Sequence, residues 1–233
     1  MTVVADRSNV TTTPTPDVTT AVGARGSLYA LAAQLFDDPD EECYSALDSG
    51  RVHEEAAALL DRTGLDVDPP DLTVDDDREL LSARFNDLFV VGYAEVVDKT
   101  DGTIDSQGPP VSLYESDYRP EVSWNDVNLD LARAYEHFGC QVDQDQRRNH
   151  DHIRLQLEFM GYLCRREAAV DPDVAAARLD FHDRHLRVVT EGVAEAMTSE
   201  PGTGLYGRLA DFLDRFTAAD VADLAARQEG DGS

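Results

Sequence analysis

The stretch His150–Met160, HDHIRLQLEFM, decides how the rest of the chain is read. Three polar, ionisable residues give way within one turn to an apolar run. At about 100° per residue, Ile153, Leu157, Met160 and Cys164 form one stripe, and Leu155, Phe159, Tyr162 and Leu163 fall on the far side. Arg154, Glu158, Gly161 and Arg165 share a narrow polar face. A helix that is apolar around most of its circumference is normally central and packed on several sides. The stretch is therefore expected to be the buried middle helix of a helical domain. Asp151 and His152 stand at its N-terminal mouth, with Asn149 as its cap.

Outward from this helix the same period repeats. LYALAAQLF (Leu28–Phe36), with Ser27 as cap, ends before Asp37-Asp38-Pro39. Pro39 and Asp40 fit the start of EECYSAL, and Arg51–Thr63 carries Val52, Ala56, Leu59 and Leu60 before a stop at Gly64. Asp75 to about Val90 has an acidic first turn, favourable at the positive end of a helix dipole, and an apolar face of Leu80, Leu81, Phe85, Leu88 and Phe89. Ser123 with Asp126 is a capping-box variant opening a helix that Gly139 stops. Pro172 starts a long helix that Pro201-Gly202 interrupts, and Leu205–Phe216 and Ala218–Gln228 read as two further helices. No convincing alternating strand pairs appear. The fold class is all-α, a single globular bundle of about eight or nine helices over residues 26–229. A disordered tail (1–25) precedes it and a short disordered C-terminus (230–233) follows. Val91–Arg119 is long for an internal loop, and such loops are usually functional or disordered.

The chain has 233 residues, 42% of them hydrophobic, enough for a proper core. Its formal charge is −27, and Lys99 is the only lysine. Most of that charge reads as solvated surface, and the lysine depletion resembles proteins of salt-in halophiles. Nucleic acid is excluded as a partner, because binding a polyanion needs clustered Lys and Arg. Cys43, Cys140 and Cys164 form no Cys-x-x-Cys pair and no disulfide framework; Cys43 and Cys164 read as small core residues. No stretch approaches 18 uninterrupted apolar residues and no secretory signal is present, so a cytoplasmic protein without stable membrane insertion is expected.

Signatures of catalysis are mostly missing. There is no His-Glu-x-x-His and no phosphate loop, and no glutamate has a histidine three residues later, as a di-iron bundle requires. The Gly-x-Gly-x-x-Gly match at Gly202–Gly207 follows a helical pattern rather than a strand, and reads as an interhelical turn. His182 and His185 are three apart and can share a helix face, which leaves a helical metalloprotein or enzyme as the alternative of another class. No cysteine or third histidine lies near them in sequence, and structural use is the simpler reading.

Several motifs then converge. Leu28–Phe36 (LYALAAQLF), Phe85–Val90 (FNDLFV), Pro110–Ser116 (PVSLYES), Asp151-His152-Ile153 followed by Leu157-Glu158-Phe159-Met160, Phe181–Leu186 (FHDRHL) and Leu205–Leu213 (LYGRLADFL) occur in order over residues 27–216. Together they resemble the TorD/DmsD/NarJ-like family of redox-enzyme maturation chaperones. Arg148 and His150 stand where the family signature has Glu and Pro, and Val189 stands where a tryptophan often follows.

The resemblance implies a non-catalytic protein without a cofactor of its own, monomeric or homodimeric. It implies binding of the apo catalytic subunit of a molybdopterin oxidoreductase of the dimethyl sulfoxide or trimethylamine N-oxide reductase type. It also implies binding of that subunit's twin-arginine signal peptide until the cofactor is inserted. The neighbouring expectation is a nitrate-reductase-type assembly chaperone acting on the mature subunit. A receptor for two arginines and an apolar helix needs carboxylates beside an apolar groove. Asp151 and Glu158 supply carboxylates, Tyr114, Leu157 and Phe159 apolar surface, His152 a partner at the mouth, and Glu115 and Ser116 a loop to close over the ligand. Each has a plainer role beside that one. Asp151 suits a helix N-terminus, His152 a bond to the neighbouring loop, Glu158 a pair with Arg154, Leu157 and Phe159 the core, and Tyr114-Glu115-Ser116 the pinning of the loop.

Overall fold

The computed structural model describes residues 4–5, 20–92, 94–98, 103–106, 108–142, 148–169 and 174–231. Among these, nine α-helices carry the fold: α1 (Ala21–Leu35), α2 (Glu41–Asp48), α3 (Arg51–Thr63), α4 (Arg78–Phe89), α5 (Trp124–His137), α6 (Ile153–Ala169), α7 (Val174–Phe181), α8 (Arg187–Ser199) and α9 (Gly204–Asp231). The helix read first in the sequence is the central one. Ile153, Leu155, Leu157, Phe159, Met160, Leu163 and Cys164 of α6 are all buried.

Helix α1 packs closely on α6, and glycine makes the approach possible. A Cβ on Gly161 would lie 2.9 Å from the Gly26 carbonyl oxygen, and one on Gly26 would lie 2.9 Å from Cys164 Cβ. Without those two methyl groups the backbones approach directly. A buried ionic network then ties the helices together. Asp220 of α9 accepts from Tyr29 OH (2.8 Å) and Arg25 (3.1 Å) of α1 and from Arg178 of α7 (2.6 Å), while Arg178 also reaches Glu167 of α6 at 2.6 Å. Each charge has an opposite charge in contact, which is what lets them stay buried.

Most helix boundaries follow from local chemistry already visible in the sequence. Asp40, Asp77 and Ser123 cap α2, α4 and α5 through their side chains, and α3 ends at Gly64 with φ +71°. The start of α1 differs from expectation. Thr20 is its N-cap, and Ser27 sits inside the helix, donating to the Gly23 carbonyl at 3.1 Å. The helix begins earlier because Arg25 is drawn into the core by Asp220. Of the tail expected over residues 1–25, Val4–Ala5 (β1) and Thr20–Arg25 are described; the rest lies outside the described residues. At the other end, α9 runs on to Asp231 as one helix in place of the two expected. Phe212, Phe216, Asp220 and Leu224 continue one buried stripe at four-residue spacing, so nothing breaks the helix after Phe216.

Two further differences concern strands and Leu80. β2 (Ala94–Asp98) pairs antiparallel with β3 (Thr103–Ser106) inside the long segment read as loop, and β1 pairs with β4 (Cys140–Gln141). These short pairs leave the fold all-α. Leu80 is 50% exposed, because Leu81, Phe85 and Leu88 form the face of α4 that meets the core. Finally, α7 and α8 are one helical rod joined by a π-helical turn, His182–Leu186. The turn inserts an extra residue per hydrogen-bonded ring and leaves both His182 and His185 buried.

Candidate functional site

The site forms where the segment Val111–Tyr114 and the 3-10 turn Glu115–Tyr118 that follows it meet the mouth of α6. Val111, buried, donates its amide to the Leu88 carbonyl at the end of α4 (3.0 Å), which brings the segment back to that helix end. Leu113, also buried, accepts from the Ile153 amide at 2.8 Å, and the Glu115 amide donates to the Asp151 carbonyl at 3.0 Å. Tyr114 and His152 are thus paired in a short antiparallel bridge. Two motifs about 35 residues apart in sequence, Tyr-Glu-Ser and Asp-His, become one structure.

Asp151 holds the loop. Its Oδ2 accepts from Ser116 Oγ (2.6 Å) and the Ser116 amide (3.2 Å), while its own amide donates to Asn128 of α5. The side chain is fully buried, and among the described residues Oδ1 has no hydrogen-bond partner. Glu115, equally buried, gathers donors from three elements: Gln156 Nε2 of α6 at 2.8 Å, Arg119 Nε at 3.0 Å and His185 Nδ1 of the π-turn at 3.1 Å. His185 Nε2 in turn lies 3.3 Å from Asp130 of α5. The π-turn therefore has a local purpose, since it delivers His185 to the loop carboxylate.

His152 performs the capping expected of Asn149. Its Nδ1 accepts from the Arg154 amide at 3.1 Å, and its carbonyl accepts from the Leu155 amide at 2.9 Å. Asn149 lies one turn too early, and its carbonyl accepts from the His152 amide instead. Burial, and then the nearby Arg148 cation, push the His152 imidazole down to about 3. It is neutral, with its proton on Nε2. Tyr114 packs edge-on against it with ring centroids 5.0 Å apart. Burial, and then Asp151, raise the Tyr114 phenol above its ordinary range, so it remains a donor.

The remaining residues singled out in the sequence are placed elsewhere. Leu157 and Phe159 are in the core; Phe159 packs on Phe181 at 4.8 Å and Tyr135 at 4.8 Å. Glu158 accepts from Arg154 Nε at 3.1 Å, and Arg154 and Arg148 both reach Asp37 beyond the end of α1. The loop trio Tyr114, Glu115 and Ser116 thus meets Asp151 and His152, whereas Glu158 belongs to a second, ionic group on the outer side. Gln156, Arg119, Asn128 and His185 complete the site, and no local pattern in the sequence marks them as part of it. The His182/His185 spacing was the one signal in the sequence. Its partner Glu115 is 70 residues away, beyond the reach of periodicity.

This arrangement is that of an all-helical protein whose polar residues are spent on holding a loop to a helix mouth; among the described residues no His, Cys, Asp and Glu group is built to hold a metal. Residues 46–188 match the family model described as the nitrate reductase delta subunit, and the chain belongs to that family, the TorD/NarJ-like assembly chaperones of molybdoenzymes. It is 33% identical over 170 residues to the selenate reductase assembly chaperone protein of Thauera selenatis, covering 70% of this chain and 71% of that one. It is 31% identical to the chlorate reductase assembly chaperone protein of Ideonella dechloratans, with the same coverage. It is 29% identical to the dimethyl sulfide dehydrogenase assembly chaperone protein of Rhodovulum sulfidophilum, covering 92% of this chain and 87% of the relative. A crystal structure described as a redox enzyme maturation protein, from Archaeoglobus fulgidus, aligns with a TM-score of 0.48 at 18% identity over 82% of this chain and 92% of its own.

Proposed function

We propose that the chain is a cytoplasmic, non-catalytic chaperone. It binds the apo catalytic subunit of a molybdopterin oxidoreductase together with its twin-arginine signal peptide, and holds both until cofactor insertion precedes export. The observation that carries the reading is the junction of Tyr114-Glu115-Ser116 with Asp151-His152. In this reading Asp151, His152 and Glu115 position the loop from inside. Tyr114 and Ser116, both partly exposed, face the client, and Glu158, also partly exposed, belongs to the separate ionic group with Arg154. Leu157 and Phe159 back the client-facing surface from the core. When Ser116 yields, Oδ1 of Asp151, without a partner among the described residues, and Oδ2 are both acceptors for an arginine donor, a charge-assisted bond about twice the strength of a neutral one.

The nitrate-reductase-type variant, acting on the mature subunit, is favoured by the family model matched and by Arg148. That residue puts a cation near Tyr114 and His152, so in this second reading the junction meets a mature-region segment in place of the arginine pair. A metal role for His185 is disfavoured because both ring nitrogens lie against carboxylates, Glu115 and Asp130.

The test is calorimetry of the twin-arginine peptide of the associated oxidoreductase in molar KCl, where the screening length is about 3 Å and long-range attraction is gone. Asp151→Ala is expected to weaken binding about tenfold, equivalent to about 1.4 kcal/mol, with helicity retained by circular dichroism. Unchanged affinity contradicts the assignment of Asp151.

A further inference from the structure

A cavity of about 320 Å³ opens at the surface between α5 and the segment formed by α7 and the π-turn. Its floor is aromatic. Phe159 and Phe181 meet there at 4.8 Å, and Phe138 lies 5.8 Å from Phe159, with Ala134 and Ala177 as small walls. Its mouth is charged. Arg184 takes both carboxylates of the rim, Asp180 from α7 and Asp130 from α5. Arg133, on the α5 side, is exposed and has no ion pair among the described residues.

We propose that this cavity seats one large apolar side chain of the client, leucine- to phenylalanine-sized, with an acidic residue about one helical turn away that meets Arg133. The volume stands at the lower end of ligand cavities, about 300–1,000 Å³, which suits one or two side chains of an anchored helix. An apolar group there gains aromatic contacts without displacing any ion pair. The charges decide the flank. A basic neighbour finds Asp130 and Asp180 already engaged by Arg184, whereas an acidic neighbour finds a free guanidinium on a chain of net charge −27. The segment is therefore drawn from the mature subunit rather than from an arginine pair. The identity of the partner rests on the chaperone reading above; the cavity and its charge pattern do not.

The experiment measures affinity for the apo catalytic subunit of the associated oxidoreductase, produced without its signal peptide. Ala177→Phe fills the cavity from α7 and is expected to weaken binding at least tenfold with an unchanged unfolding midpoint. Arg133→Glu, on the exposed surface, is expected to weaken it about fivefold at low salt. Unchanged affinity in either folded variant overturns the proposal while leaving the chaperone reading in place. If Ala177→Phe does not fold, Arg133→Glu decides alone: a loss supports the cavity and no change overturns it. Failure of the unaltered chain to bind this subunit overturns both.

Discussion

The imidazole of His152 caps α6 through Nδ1, and this fixes how the site responds to acid. Its folded pKa is about 3, against about 6.5 in an unfolded chain. Between these values the unfolded state takes up a proton that the folded state refuses. Stability from this residue is therefore full above pH 6.5 and falls as the pH drops toward 3. At pH 4.5 the loss is about 2–3 kcal/mol, at about 1.4 kcal/mol per unit. His152→Asn keeps a short acceptor for the Arg154 amide and removes the titration. Urea unfolding between pH 6.5 and 4.5 is expected to show a shallower decline in this variant than in the parent chain; equal slopes would refute the capping role. At the same scale, Glu115→Ala leaves Arg119 and His185 facing a void, and removing one partner of a buried pair costs about 3–5 kcal/mol. Denaturant midpoints measure that loss directly. The sequence marked Asp151 and His152 as a pair at a helix mouth, because the run from polar to apolar residues is local. It did not mark His152 as the cap. Asn149 has the better intrinsic preference, and only the pairing with Tyr114 shows that the helix starts later.

Glycine permits two close approaches between elements. At Gly161 a methyl group would meet the Gly26 carbonyl at 2.9 Å, where backbone on both sides cannot yield. Gly161→Ala is expected to cost about 1–3 kcal/mol by overpacking, read as a lower thermal midpoint. At Gly192 of α8 a methyl would lie 2.5 Å from the Tyr118 ring, and Tyr118 OH holds the Ser112 carbonyl at 2.7 Å. Gly192→Ala thus pushes on the loop from behind without touching Asp151. Faster amide exchange over residues 112–118, with α6 still protected, is the expected result; unchanged exchange would show that Tyr118 does not hold the loop. Helices α2 to α5 were legible because caps and stop glycines are adjacent in sequence. The merger of the last two helices was not, since it depends on Asp220 finding Arg25 and Arg178 from distant parts of the chain. The π-turn was hidden for the same reason, being set by Glu115.

For the whole molecule the governing quantity is the charge of −27. Like charges on the surface repel, and at low salt this opposes the compact state. Raising KCl from about 0.1 M to about 1 M shortens the screening length from about 10 Å to about 3 Å. The unfolding midpoint is expected to rise over that range, and a fall would count against repulsion as the dominant surface term. Buried contacts such as Glu115 with His185 and Asp151 with Ser116 respond far less, so the loop-to-mouth junction persists in salt. The resemblance of ordered motifs in the sequence already pointed to assembly chaperones, and the family match agrees. The surface cavity could not be read there, because Ala134, Phe159 and Ala177 come from three helices. The most direct measurement is the affinity of the purified chain, in molar KCl, for the catalytic subunit of the associated oxidoreductase prepared with and without its molybdenum cofactor. A chaperone that releases its client on cofactor insertion binds the cofactor-free subunit at least tenfold more tightly. Equal affinity for both forms, or no complex with either, would contradict the account.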